Sequence, residues 1–170
     1  MESKVKKIVF SALLAALVCV ATMIVKIPSP MKGYINLGDC VVLLSGFLLP
    51  PVYGFLAAGL GSALADLFSG YVIYAPATFV IKGAMALVVY AVFRFLGKRV
   101  GKLPSQIIGS VLAECLMILG YFVFEGFLYG FGPSLVNIPA NAVQGAAGIA
   151  LGLALIKILE KTGLAEKIEK

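Results

Sequence analysis

Long apolar runs alternate with short polar breaks along this chain, and most of the runs approach the length of a membrane-crossing helix, about 20 residues. The first extends from Ile8 to about Val25 and stops at Lys26 and the Pro28/Pro30 pair. It follows a Lys-rich start but lacks a small-residue cleavage site, so it reads as a retained helix. A polar connection, KIPSPMKGYIN, covers Lys26 to Asn36. The stretch from Val41 to Ala65 fits either one span or two short helices broken at Pro50-Pro51. Consecutive prolines remove two N–H donors and stop a helix, which favours the break. The expected helices are then Asn36–Leu49, Val52–Phe68, Pro76–Leu96, Pro104–Phe124 and Asn137–Leu159, with Pro76 in a first turn where its missing N–H costs little. Ser69–Ala75 and the Gly- and aromatic-rich FLYGFGPSL read as loops, and no internal repeat suggests an inverted-repeat carrier. The pattern predicts an all-α membrane protein, a single domain over residues 1–170 with six transmembrane helices.

Charge supports that count and gives it a direction. Eleven of the fourteen Lys and Arg residues fall in three places: Lys4, Lys6 and Lys7; Arg94, Lys98, Arg99 and Lys102; and Lys157, Lys161, Lys167 and Lys170. Six crossings put all three clusters on one side, leaving out only Lys26, Lys32 and Lys82. Cytoplasmic loops accumulate Lys and Arg, so both termini are expected in the cytoplasm. The composition is 61% hydrophobic and 13% charged, with a mean hydropathy of +1.05, far from the soluble norm. The net charge of +6 flanks apolar spans rather than forming a stripe. It points to anionic lipid headgroups rather than nucleic acid.

Much chemistry is excluded by composition. Histidine is absent, which removes His-based acid–base catalysis, Ser-His triads and His-ligated metals. Cys19, Cys40 and Cys115 form no CxxC pair and read as small buried side chains. There is no phosphate-binding loop; GKRVGK at Gly97–Lys102 lacks the spacing and the hydroxyl. No cofactor, metal or catalytic centre is expected, and any ATP-driven step requires another subunit.

Ionisable and amide groups inside the spans are the candidate chemistry, since they are costly in lipid. Thr78, Lys82 and Met85 share one helical face; Glu114, Ile118, Tyr121 and Glu125 share another; Asn137, Asn141, Gln144 and Gly148 a third. Lys82 lies roughly 8–10 Å below the outer surface. Three polar stripes of similar depth describe a cavity open to the outside and closed toward the cytoplasm. The competing reading pairs the charges with one another, Lys82 with Glu114 or Asp66. Asp66 is expected to cap the following loop or hold Lys82, and Asn36 and Asp39 to cap the second helix. Asn137 is placed near the rim. A strip of small residues, Ser11, Ala12, Ala15, Ala16 and Cys19, marks the first helix, and Gly54, Ala57, Ala58, Gly61 and Ala65 the third. Such strips allow close helix approach in lipid.

Asn36–Asp39 (NLGD), Gly59–Tyr71 (GxxxALADLxSGY) and Pro76–Gly83 (PATFxIKG) resemble the substrate-binding S component of an energy-coupling factor (ECF) vitamin transporter. The resemblance covers nearly the whole chain and is greatest to the hydroxymethylpyrimidine or pyridoxine type. It implies a prokaryotic plasma-membrane protein, not an enzyme, that binds a small vitamin near the outer face beneath the loop joining helices 1 and 2. It also implies delivery through a transmembrane coupling subunit and two ATPase subunits. Ala12 and Ala16 match the helix that docks the coupling subunit. Tyr34, Thr78, Lys82, Glu114, Tyr121, Asn137, Asn141 and Gln144 are the candidate ligand contacts. Pantothenate, riboflavin and folate S components, and a small proton-coupled carrier using Glu114, are the alternatives.

Overall fold

The structure is a computed structural model that describes residues 2–29 and 33–165; Lys32, Lys167 and Lys170 lie outside them. Six main helices follow the expected order: α1 (Glu2–Ile24), α2 (Asp39–Leu48), α3 (Pro51–Phe68), α4 (Ala75–Val100), α5 (Lys102–Tyr129) and, after a short α6 (Phe131–Ser134) and a 3-10 turn (Leu135–Asn137), α7 (Ile138–Lys161). Five candidate spans are long and apolar enough to cross a membrane: α1, α3, α4, α5 and the Phe131–Lys161 stretch that contains α6 and α7. The exception is α2. Its 10 residues give about 15 Å, half a hydrocarbon core.

The contacts of α2 explain its length. Asp39 meets Lys82, Gly46 packs on the Ala86 carbonyl and Val89, and Phe47 stacks edge-on against Phe93 at 5.6 Å. Helix α2 therefore runs alongside α4 and begins about 10 Å below α4's first residue. Every residue of α2 is buried. Pro50 and Pro51 then reverse the chain, and α3 climbs back. Phe55 lies over Gly83 and Phe79 over Gly59, the two rings meeting edge to face at 5.3 Å. A side chain at any of these glycines would overlap its neighbour, so the glycines set the α2–α3–α4 spacing.

Around this centre, α5 and α7 complete the bundle. Gly120 receives Ile81, Gly109 faces Val92, and Gly152 rests on Leu43 and the Cys40 carbonyl. Helix α1 packs on α3 through Leu14 and Val18, with the Ala15 carbonyl against Gly61, and leaves its other faces outward. Between α1 and α2 the chain forms a two-stranded antiparallel hairpin, β1 (Ile27–Pro28) and β2 (Tyr34–Ile35), pairing Ile27 with Ile35.

Three expectations are corrected. FLYGFGPSL is not an open loop: α5 continues to Tyr129, Gly130 turns at φ +91°, and α6 follows. The second helix starts at Asp39 rather than Asn36, since residues up to Gly38 belong to the turn above it. Cys115 is exposed on the outward face of α5, unlike the buried Cys40.

The start of α1, the α4–α5 turn at Gly101 and the end of α7 lie at one end of the bundle, where Lys102 pairs with Glu160 at 3.0 Å and Gln106 donates to the same carboxylate. The hairpin, the α3–α4 turn and α6 lie at the other. Val72 and Leu103, 61% and 56% exposed, mark these two ends. With native cysteines removed, Val72→Cys should react with an impermeant maleimide on intact cells, and Leu103→Cys only after permeabilisation. Labelling of both from one side would remove the proposed orientation.

Candidate functional site

The space above the start of α2 is a polar cavity of about 40 Å³, walled by the hairpin-side ends of α3, α4, α5 and α7 and roofed by the hairpin. That is room for about three water molecules, at 10–15 Å³ each. Thr78 comes from α4, Tyr121 and Glu125 from α5, and Asn141 and Gln144 from α7, with Asn137 at the turn before it. Asp66 enters from the last turn of α3, and Tyr71 and Tyr74 from the α3–α4 turn. Ser29, Gly33, Tyr34 and Asn36 close the top; Gly33 sits against Asn137 and Glu125. Of the candidate contacts, Tyr34, Thr78, Tyr121, Asn137, Asn141 and Gln144 thus share one cavity.

Lys82 and Glu114 do not line it; they lie beneath its floor. Lys82 is 3% exposed and pairs with Asp39, which is fully buried, not with Glu114 or Asp66. Asp39 therefore caps nothing: its other oxygen accepts from the Gln144 side-chain amide at 2.6 Å. The Gln144 carbonyl accepts the Asn36 backbone N–H at 2.9 Å, so one amide joins floor to roof. Asn36 in turn accepts the Gly38 N–H, bracing the turn before α2 rather than capping the helix. Glu114 packs on Gly145 and Gly148, and neither of its oxygens has a hydrogen-bond partner among the described residues.

The walls are aromatic and acidic. Tyr34 donates to Asp66 at 2.6 Å, so Asp66 anchors the roof instead of capping its own loop. Burial, reinforced by the Asp66 carboxylate, pushes the Tyr34 phenol up and keeps it a donor. Tyr34 leans on Tyr71 at 4.7 Å, Tyr71 on Tyr74 at 6.3 Å, and Tyr74 on Phe124 at 5.4 Å. Thr78 and Tyr121 share a hydrogen bond of 3.1 Å. Asn137 is not at a rim; it is 2% exposed and donates to Glu125 at 2.8 Å. Asp66, Glu125, Tyr71 and Tyr74 were not among the expected contacts. Glu125 continues the Glu114–Tyr121 stripe, a signal already present in the spacing, whereas Tyr71 and Tyr74 lie in a turn that periodicity does not reach.

A helical membrane bundle with a polar cavity at one end has the form of a protein that binds a small solute. A family model described as "ECF-type riboflavin transporter, S component" matches residues 2–161. The chain belongs to this family of ECF S components, membrane subunits that bind substrate for vitamin uptake and are not themselves enzymes. A solved S component of a bacterial ECF transporter superposes with a TM-score of 0.76 at 25% identity, covering 94% of this chain and 98% of that one. An uncharacterised Pyrococcus woesei protein from the gap 3′ region is 38% identical over 145 residues, 85% of this chain and 95% of its own length. The thiamine precursor transporter HmpT of Lactococcus lactis subsp. cremoris is 25% identical over 173 residues, 100% of this chain and 98% of its own. Membership displaces the rival reading of a free-standing proton-coupled carrier.

Removing one partner of a buried ion pair strands the other charge, at a cost of about 3–5 kcal/mol, whereas neutralising both is far milder. Lys82→Met should therefore sharply lower the unfolding midpoint in detergent, and Lys82→Met with Asp39→Asn should recover most of the loss. Equal midpoints for single and double variants would show the pair to be energetically idle.

Proposed function

We propose that this chain captures a small heteroaromatic vitamin or vitamin precursor, of the hydroxymethylpyrimidine or pyridoxine class, from outside a prokaryotic cell. It hands the ligand on through a transmembrane coupling subunit driven by two ATPase subunits. The observation that carries this reading is the cavity itself, where amide, hydroxyl and tyrosine groups converge above a shortened helix. Its small volume favours a single flat ring, with the ring stacking on tyrosine and its nitrogens and hydroxyls meeting Asn141, Thr78 and Tyr34. The full-length similarity to a thiamine precursor transporter supports the same ligand size. Riboflavin is the second reading, favoured by the description of the matching family model. Its three fused rings demand a larger enlargement of a cavity of about 40 Å³.

Admitting even one ring requires the roof to give way. Among the described residues the polar links that hold the hairpin are chiefly Tyr34 to Asp66 and Asn36 to Gln144, and these would open if the roof lifted. Lys82 and Glu114 act from below: the first holds the floor, and the second lies a layer deeper. Losing one hydrogen-bond partner in a dry site costs about 1–3 kcal/mol. Titration calorimetry with hydroxymethylpyrimidine and pyridoxine should show Asn141→Ala weakening the preferred ligand about 10- to 100-fold. Gln144→Ala should weaken it at least as much, because it also unties Asp39 from Asn36. Unchanged affinity in both variants would place the binding site elsewhere.

Ala12 and Ala16 are exposed on α1, and Ala12 borders a shallow apolar groove with Ser11, Tyr53, Leu56 and Leu60. No described residue covers that face, which suits close approach by a helix of the coupling subunit. Replacing both with Leu should abolish uptake and co-purification with the ECF module while leaving the calorimetric affinity of the isolated subunit intact. Equal loss of binding would assign the strip to internal packing.

A further inference from the structure

Five charged side chains are buried among the described residues, and their signs do not balance. Asp39, Asp66, Glu114 and Glu125 are carboxylic acids, and Lys82 is the lone ammonium. Asp39 takes up that ammonium entirely outside the cavity. The two acids that line the cavity, Asp66 and Glu125, are 5% and 2% exposed. By hydrogen-bond geometry each is held through one oxygen, with the Thr78 hydroxyl also close to Asp66. Asp66 Oδ1 accepts from Tyr34, and Glu125 Oε1 accepts from Asn137 and, at 3.4 Å, from Tyr74. The second oxygens, Asp66 Oδ2 and Glu125 Oε2, are buried and accept no hydrogen bond within the described residues.

An unmet buried acceptor is costly, and a carboxylate oxygen more so than a neutral one. Two of them in one small cavity, each held in place by a neighbour, form a recognition element for a ligand that brings N–H donors or positive charge. They disfavour a ligand that brings negative charge, because like charges in a dry site repel and no cation among the described residues lines the cavity to compensate. We infer that Asp66 and Glu125 are the specificity-determining residues of this pocket, selecting a neutral or cationic amino-substituted nitrogen heterocycle and excluding carboxylate- or phosphate-bearing vitamins. The exocyclic amine donates to the free oxygen of one acid, and a protonated ring nitrogen or a hydroxymethyl O–H donates to the other. This rests on the reading of the chain as a vitamin-binding subunit and narrows it to one charge class.

The test uses the purified full-length chain in detergent and three matched probes: 4-amino-5-hydroxymethyl-2-methylpyrimidine, the same ring without its amine, and the phosphate monoester of the first. Losing the amine should weaken binding about 10- to 100-fold, and the phosphate ester should bind more weakly still. Asp66→Asn and Glu125→Gln keep shape and should each weaken the amine-bearing probe about 10-fold or more, while only the variant at the acid that takes the amine should barely change the probe without it. Thermal melts of each variant report whether the fold is intact, and the probe series on the unaltered protein stands without them. Phosphate ester and alcohol binding equally, or a carboxylate vitamin such as pantothenate binding tightly, would overturn the charge selection while leaving a vitamin-binding subunit in place. Failure to bind any vitamin and to assemble with an ECF module would overturn both.

Discussion

The Lys82–Asp39 pair is the interaction on which the rest of this structure depends. Two opposite charges are taken out of water in the interior of the bundle. Neither is tolerable there alone, so α4 and α2 have one acceptable register. Gln144 adds α7 to the same knot through the second Asp39 oxygen and then reaches Asn36 in the roof. One buried charge pair thus fixes the depth of three helices and the seat of the loop above them. That explains why the floor of the cavity is polar although no ligand atom need touch the ammonium.

The cavity exists because α2 is short. A helix that filled the whole span beside α4 would occupy the space that Thr78, Tyr121 and Gln144 now face. The chain instead spends residues 27–38 as a hairpin and turn, and helix begins only at Asp39. Glycines make the arrangement tight enough to close below. Gly148 brings α7 against the Asp39 side chain, and Gly46 brings α2 onto the α4 backbone. Any larger residue there would push helices apart and open the floor to the apolar layer beneath.

Much of this was legible in the chain, and the exceptions have physical causes. Helix positions follow apolar length, and the Pro50-Pro51 break follows from missing N–H donors, so both are local and readable. The one-sided placement of basic residues anticipated that Lys102 and the α7 end would meet. Stripes on α4, α5 and α7 grouped Thr78, Tyr121, Asn141 and Gln144, which line one cavity, because helical spacing alone determines a shared face. Pairing was not legible. The sequence suggested Glu114 or Asp66 as the partner of Lys82, and only the depth at which α2 begins selects Asp39. That depth depends on where a non-helical hairpin ends, which periodicity does not report. Tyr71 and Tyr74 were missed for the same reason: they sit in a turn whose direction is set by the α3–α4 packing.

Helix α1 joins the two ends of the molecule mechanically. Its buried contacts form a single ridge, Leu14, Val18 and Thr22, one turn apart along α3 and the turn at Gly38. Its remaining faces are turned away from the bundle, including Ile8, Leu13, Leu17 and Ile24. A helix held along one ridge by small neighbours is the element most easily shifted without disturbing the core. Near its middle α1 presents Ala12 and Ala16 outward. At its C-terminal end only Val25 and Lys26 separate it from β1, the first strand of the roof. Lys26 is tied to Ser69 in the α3–α4 turn at 2.9 Å, beside the aromatic wall. A partner gripping the small-residue face therefore holds the same rigid rod that carries the cover of the cavity. The covalent path from one to the other runs along α1 and then through Val25 and Lys26.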